Sequence, residues 1–309
     1  MVFNLLNQLG TADALALKIV GRSKAVRVIQ RIDQAQKEDK NSNYVCSRRK
    51  SEHTASILGG LRIAGTTQMP DRTIEELICL DYPGWPVVQQ WIAEAKNHVE
   101  VLPASDPARS EALLETQVTT RSIMGTIVYE TGGLLIDHGW LRVLGAGHEK
   151  LKRTMPKWTL EATGIRLHES PEILIADDVM GGFYAMRADE EGLRNHVSYL
   201  APDTLAWENM GLTYSEFIYS FCLYGDLEDY YSTLRWPGWQ AVVAEMHGDQ
   251  CLSIVPPLGF KSVVRSERVT LEKREKKPIP ALDSYFFALD LGAQLADLPD
   301  GATVVFKDT

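Results

Sequence analysis

Between Thr131 and Met186 the chain repeats one pattern: a short apolar run, a glycine-bearing turn, then another apolar run. The segments TGGLLIDHGWLRVLGAGH (131–148) and ILIADDVMGGFYAM (173–186) carry it. A parallel neighbour needs a crossover of about a dozen residues or more, and most of these turns are too short to supply one. Strand-like runs joined so closely pair antiparallel. The same turns place Asp137, His138, His148, Asp177 and Asp178 at strand ends, where polar groups gather.

The flanking pattern predicts helices that cover this sheet. In DYPGWPVVQQWIAEAKNHVEVLP, Pro86 suits a first helical turn, and Val88, Trp91, Ile92 and Ala95 share one face. Asp106 as cap and Pro107 as first residue start a second helix, which ends near Thr116. From Val118 onward TIVYET, LLIDHGWLRVLG, EILIADD, FYAMR and HVSYLAP read as strands, with a helical piece around Trp158. DTLAWE then leads into a helix containing Phe217, Phe221 and Tyr224, capped by Ser215 and broken at Gly225. Pro83-Gly84-Trp85 and Pro237-Gly238-Trp239 match, and both read as turns whose tryptophan opens a helix. The expected fold class is α+β: a mostly antiparallel sheet of about five or six strands packed against helices.

Charge divides the chain. Residues 1–76 hold 12 Lys/Arg against 8 Asp/Glu, whereas the remainder holds 20 against 33, and all seven tryptophans lie in the remainder. The reading is a basic extension over 1–77, a main domain over 78–268, and a charged spacer (LEKREKKPIP) with a C-terminal tail over 269–309, including a last strand ATVVFK. Within the extension, Leu15, Ile19, Val26, Ile29 and Ile32 recur at helical spacing beside Lys18, Arg22, Lys24, Arg27 and Arg31, and residues 37–56 read as a linker. With 45% hydrophobic and 24% charged residues, disorder of the whole chain is excluded.

The net charge of −9 argues against nucleic acid as partner of the main domain, because binding phosphates needs a basic surface. It suits a basic protein partner. No apolar run is long enough to span a membrane, and MVFNLLNQLG lacks the basic start of a secretory leader, so the cytoplasm is the expected compartment. Cys46, Cys79, Cys222 and Cys251 form no C-x-x-C pair and read as free thiols.

Several unusual words occur in a fixed order: TTRSIMGTIVYETGGLLIDHGWLRVLGAGH, LIADDVMGGFYAM, YLAPDTLAWE, YSEFIYSFCLYGDLEDYY, RWPGWQ and DQCLSIVPPLGF. Over about Leu80 to Val264 the chain resembles the bacterial domain-of-unknown-function family numbered 2625, a likeness that implies no activity. The order of a glycine-bearing strand pair, an aromatic strand and a Ser-x-Phe helix also resembles the SUKH superfamily, although that superfamily's Leu-Pro opening motif does not stand out. Many SUKH members neutralise bacterial toxins, so this likeness implies a non-enzymatic, immunity-type protein whose partner is a basic toxin or effector.

The alternative is a small hydrolase or metal-dependent enzyme using Asp137, His138, His148 and Asp178. No H-x-x-x-H or H-E-x-x-H spacing supports a metal, and neighbouring strand residues such as Asp177 and Asp178 face opposite ways. Asx-turn and hairpin roles compete for these aspartates. No cofactor is implied, since the paired glycines lack a phosphate-loop context. Candidate binding residues are Arg121, Asp177, Trp207 and Trp236; Arg121 suits an anion, or else an ion pair with Asp177 or Asp178. Ser122 and Cys222 lie in no nucleophile elbow.

Overall fold

The computed structural model describes residues 71–296, apart from residue 256 and short stretches between 259 and 269. The chain divides into two compact units after Thr73. The basic helix, the linker, Cys46 and the ATVVFK strand expected from the sequence lie outside the described residues.

A seven-stranded sheet organises the second unit. Its strands are β1 (Val99–Pro103), β2 (Thr131–Ile136), β3 (Leu141–Leu144), β4 (Glu172–Asp178), β5 (Phe183–Arg187), β6 (Val197–Leu200) and β7 (Trp207–Leu212). They follow one another in chain order, and every neighbouring pair is antiparallel. The α+β class therefore holds, with seven strands against the expected five or six, two of them not foreseen from the sequence. One addition is β1, whose residues run on from the preceding helical segment with no glycine or proline turn to set them apart. The other is β7, whose exposed Glu208, Asn209 and Gly211 give it little strand character.

Helices close the sheet. Following α1 (Ile74–Leu77), α2 (Trp85–Ala93) begins at Gly84 with Pro86 in its first turn and buries Val88 and Trp91. After α3 (Ala108–Thr116), the chain enters α4 (Ile123–Glu130). Here the structure corrects the sequence: TIVYE is helical, not a strand. Ser122 caps the helix by accepting from Gly125 N at 2.9 Å, and Ile123 to Val128 are all buried. Burial on all sides rewards apolar residues whatever their intrinsic propensity, so tertiary packing overrides the β-branched signal. A Cβ on Gly125 would lie 2.2 Å from Thr119 O, so only glycine permits this approach.

Beyond β3, α5 (Met155–Thr163) packs on β4, with Thr154 as its cap. The aromatic helix opens as α6 (Tyr214–Glu216) and continues as a π-helical stretch, Phe217–Leu223. Its cap is Thr213 and not Ser215: the Thr213 hydroxyl and the Glu216 carboxylate satisfy each other's backbone N–H groups. Cys222 is buried there. Then come α7 (Leu227–Tyr230) and α8 (Trp239–Ala244); Trp85 and Trp239 each open a helix, as the repeated Pro-Gly-Trp word suggested.

The supposed C-terminal spacer is ordered. Strand β8 (Gln250–Val255) pairs antiparallel with β11 (Glu275–Pro280), which carries most of the charged LEKREKKPIP stretch; β9 (Val263–Val264) and β10 (Glu267–Arg268) pair between them. Helix α9 (Ala281–Ala296) docks through Tyr285, 1% exposed, whose ring meets Trp158 and Phe183 while its hydroxyl donates to Glu172 at 2.9 Å. No helix among the described residues is long and apolar enough to cross a membrane.

Candidate functional site

The turn between β2 and β3 runs through three consecutive left-handed residues: Asp137 (φ 50°), His138 (φ 61°) and Gly139 (φ 87°). Asp and His tolerate this region better than most residues, but two adjacent non-glycine positions there store strain. The surroundings enforce it. Asp137 N donates to His98 O at 2.8 Å, and Trp140 N donates back to Asp137 O at 3.1 Å. The turn separates two clefts, with Asp137 lining one and His138 the other.

On the His138 side lies a cleft of about 510 Å³ with His98, Glu100, His138, Arg142, Lys150 and His247 among its lining residues. The His98 and His138 rings stack at 4.7 Å, 6° from parallel. Among the described residues their ring nitrogens make no hydrogen bond. His247 is different: Nδ1 accepts from Asp249 N at 3.1 Å and Nε2 lies 2.7 Å from Glu149 O, so both of its nitrogens are occupied. At the rim Lys150 pairs with Glu100 at 2.5 Å.

Arg142 lies at the edge of a buried ionic network behind this cleft. Its Nε and Nη2 donate to Asp177 at 3.1 and 2.9 Å, and Nη2 also reaches Gln250 O and Cys251 Sγ. Asp177 receives a second guanidinium, Arg153 Nη2, at 2.9 Å, and Arg153 Nε in turn meets Asp249 at 3.1 Å. Burial works against a charged guanidinium, but the groups around it, Asp177 foremost and Asp178 and Cys251 with it, together outweigh burial and hold Arg142 above its ordinary pKa. Burial likewise pushes the Cys251 thiol up to about 12.

Asp178 faces elsewhere, as alternation along β4 requires. One oxygen accepts from Met180 N and Gly182 N, both at 2.9 Å, and the other from Tyr199 OH at 2.7 Å. That arrangement shapes the β4–β5 hairpin. Burial nevertheless raises its pKa above the ordinary value, against the lowering effect of these bonds.

On the far side of the turn, Asp137 ion-pairs with Arg235 in a cleft of about 600 Å³ that Trp236 also lines. Arg235 is packed over the rings of Trp140, Tyr231 and Trp239. His148 closes a small loop, its Nδ1 accepting from Lys150 N. The four residues weighed for catalysis thus do not converge, and among the described residues no group of three or more His, Cys, Asp or Glu could hold a metal. Ser122 is a helix cap.

Of the binding candidates, Trp207 is half-buried under Arg187 at 4.8 Å, and Trp236 is 9% exposed with Lys276 over its ring. Arg121 lies over Tyr82 at 5.5 Å. The expected ion pair of Arg121 with Asp177 is replaced by Arg142 and Arg153. Sequence reasoning passed over Arg142, His98 and His247. For Arg142 a signal existed: a lone arginine in the apolar run WLRVLG is either edge-exposed or buried with a carboxylate partner.

The comparisons agree with the fold's extent. The family described as "Protein of unknown function DUF2625" matches residues 74–284, passing beyond Val264 through β11 and into α9. An "Uncharacterized protein" of Haemophilus influenzae is 34% identical over 210 residues, covering 67% of this chain and 90% of that protein. The "Putative uncharacterized protein YbfG" of Escherichia coli K12 is 39% identical over 194 residues, 62% of this chain and 87% of that one. On this evidence the chain belongs to the DUF2625 family.

Proposed function

We propose that this protein is a non-catalytic, small-molecule-binding protein of the cytoplasm whose ligand occupies the cleft beside His138. One observation carries the reading: the His98 and His138 rings and Arg142 Nη1 belong to residues lining a 510 Å³ opening, and among the described residues those ring nitrogens and Nη1 have no hydrogen-bond partner. Pockets of this size with a few convergent polar groups are the usual form of a ligand site. Catalysis is less well supported, because Asp137, Asp178, His148 and His247 are each engaged in holding turns or ion pairs.

A thermal-shift screen of polar metabolites against wild type and His138→Ala tests the reading. The expected result is a hit that raises the wild-type melting temperature and loses that effect in the variant. Hits that stabilise both proteins equally would place binding elsewhere and sink the proposal.

A protein partner is the second reading, favoured by β7. This strand ends the sheet, and most of its side chains are half or fully exposed, a form suited to strand addition. The acidic balance of the chain beyond residue 76 suits a basic partner, such as the toxin or effector that the SUKH-like order implies. A pull-down from the native cytoplasm that returns a stoichiometric basic protein, lost when β7 is disrupted by Asn209→Pro, supports this reading; no such protein counts against it.

A further inference from the structure

We infer that the cleft recognises a phosphate group carried on a hydroxyl-bearing small molecule, an inference that rests on the cleft being the ligand site. The side chain of Arg142 is 2% exposed but lines the cleft. Asp177 occupies Nε and Nη2, the paired edge of the guanidinium that best matches a planar carboxylate. What remains for a ligand is Nη1, which among the described residues has no hydrogen-bond partner. It is one nitrogen with two N–H groups, held rigidly by the contacts on the other side of the guanidinium, and donors fixed in advance lose little freedom on binding.

The other donors approach from different elements, the two histidines without a hydrogen-bond partner among the described residues and Lys150 in an exposed ion pair with Glu100 that a ligand anion can compete for. His98 precedes β1, His138 sits in the β2–β3 turn, and Lys150 follows β3 at the rim. Separate donor groups arriving from the floor, wall and rim suit the spread oxygens of a tetrahedral phosphate better than two coplanar oxygens. The ionic network behind the floor is balanced, with Arg142 and Arg153 against Asp177 and Asp249, so it neither attracts nor repels the ligand strongly as a whole. Glu100 and Glu245 also line the opening. Their carboxylates disfavour a bare anion and accept from hydroxyls, which selects a phosphate ester over inorganic phosphate.

Calorimetric titration with glycerol 3-phosphate, inorganic phosphate, glycerol and acetate tests this, using wild type, His98→Ala, His138→Ala and Lys150→Ala. Both histidine positions and Lys150 lie at the wall or rim, and circular dichroism melts verify that each variant is folded. The expected order has glycerol 3-phosphate tightest, inorganic phosphate weaker, and glycerol and acetate without measurable binding. Each substitution should weaken glycerol 3-phosphate by about tenfold, as loss of one charge-assisted hydrogen bond predicts. Acetate binding as tightly as the phosphates, or glycerol 3-phosphate failing to bind or binding all variants equally, overturns the phosphate assignment. If the metabolite screen meanwhile yields a phosphate-free ligand sensitive to His138→Ala, only this inference fails; if no ligand is sensitive to that change, the binding reading fails with it.

Discussion

The imidazole rings of His98 and His138 lie 4.7 Å apart and 6° from parallel, joining the residue before β1 to the middle of the β2–β3 turn. The backbone repeats the link, because the amide next to His138, that of Asp137, donates to His98 O at 2.8 Å. One side-chain stack and one main-chain bond therefore hold a strained turn in place against the cleft.

Replacing His138 with glycine separates strain from function. At φ 61° glycine relieves roughly 1–2 kcal/mol of left-handed strain, while losing the stack offsets part of that gain. His138→Gly is expected to unfold within about 1 kcal/mol of wild type in urea while losing the ligand-induced thermal shift. A large destabilisation with binding retained would reverse the assignment.

Asp177 is shared by two buried guanidiniums. Asp177→Asn removes the charge that both need and should cost about 3–5 kcal/mol, the usual penalty for breaking a buried ion pair from one side. Denaturant unfolding measures it. A loss below about 1 kcal/mol would show that water or rearrangement compensates the arginines.

Asp178 makes a pH prediction. Burial raises its folded-state pKa, so between the ordinary carboxyl range and the raised value the folded protein binds more protons than the unfolded chain. Stability from this group is accordingly greatest at low pH and falls as pH rises toward the folded-state pKa. Asp178→Asn, which keeps an oxygen for Met180 N and Gly182 N, should lose this component. Subtracting its stability curve from that of wild type should leave a difference that falls with pH above about 4. A difference that rises with pH would mean that the hydrogen bonds win over burial.

Thiol reactivity should sort by burial. Cys251, pushed up to about 12, and Cys222, raised well above the ordinary thiol value, are both buried, whereas Cys79 is only half-buried. Under native conditions at neutral pH, iodoacetamide should modify Cys79 and spare Cys222 and Cys251, as read by peptide mass spectrometry. Early labelling of Cys251 would imply that the β8 segment opens readily.

The hairpins were legible because glycine-bearing turns between apolar runs leave few topologies open. Less legible were elements whose environment contradicts their composition. TIVYE has strand-like residues but becomes a helix because α4 is enclosed on every side. EKKPIP, with Lys276, Lys277 and Pro278, resembles a spacer, yet lysine and proline are what a strand at a sheet margin carries. The acids and histidines of the central stretch drew attention to the right turn. Their partners were hidden, because His98 and Arg235 lie far from it in sequence and reach it only through the fold.

The most direct test is a crystal structure of the protein soaked with the strongest ligand from the metabolite screen. The account predicts ligand density between the His98–His138 stack and Arg142, with a ligand oxygen at hydrogen-bond distance from Arg142 Nη1. Density confined to the Trp236 cleft or to the β7 edge, with the His98–His138 cleft holding only solvent, would contradict it.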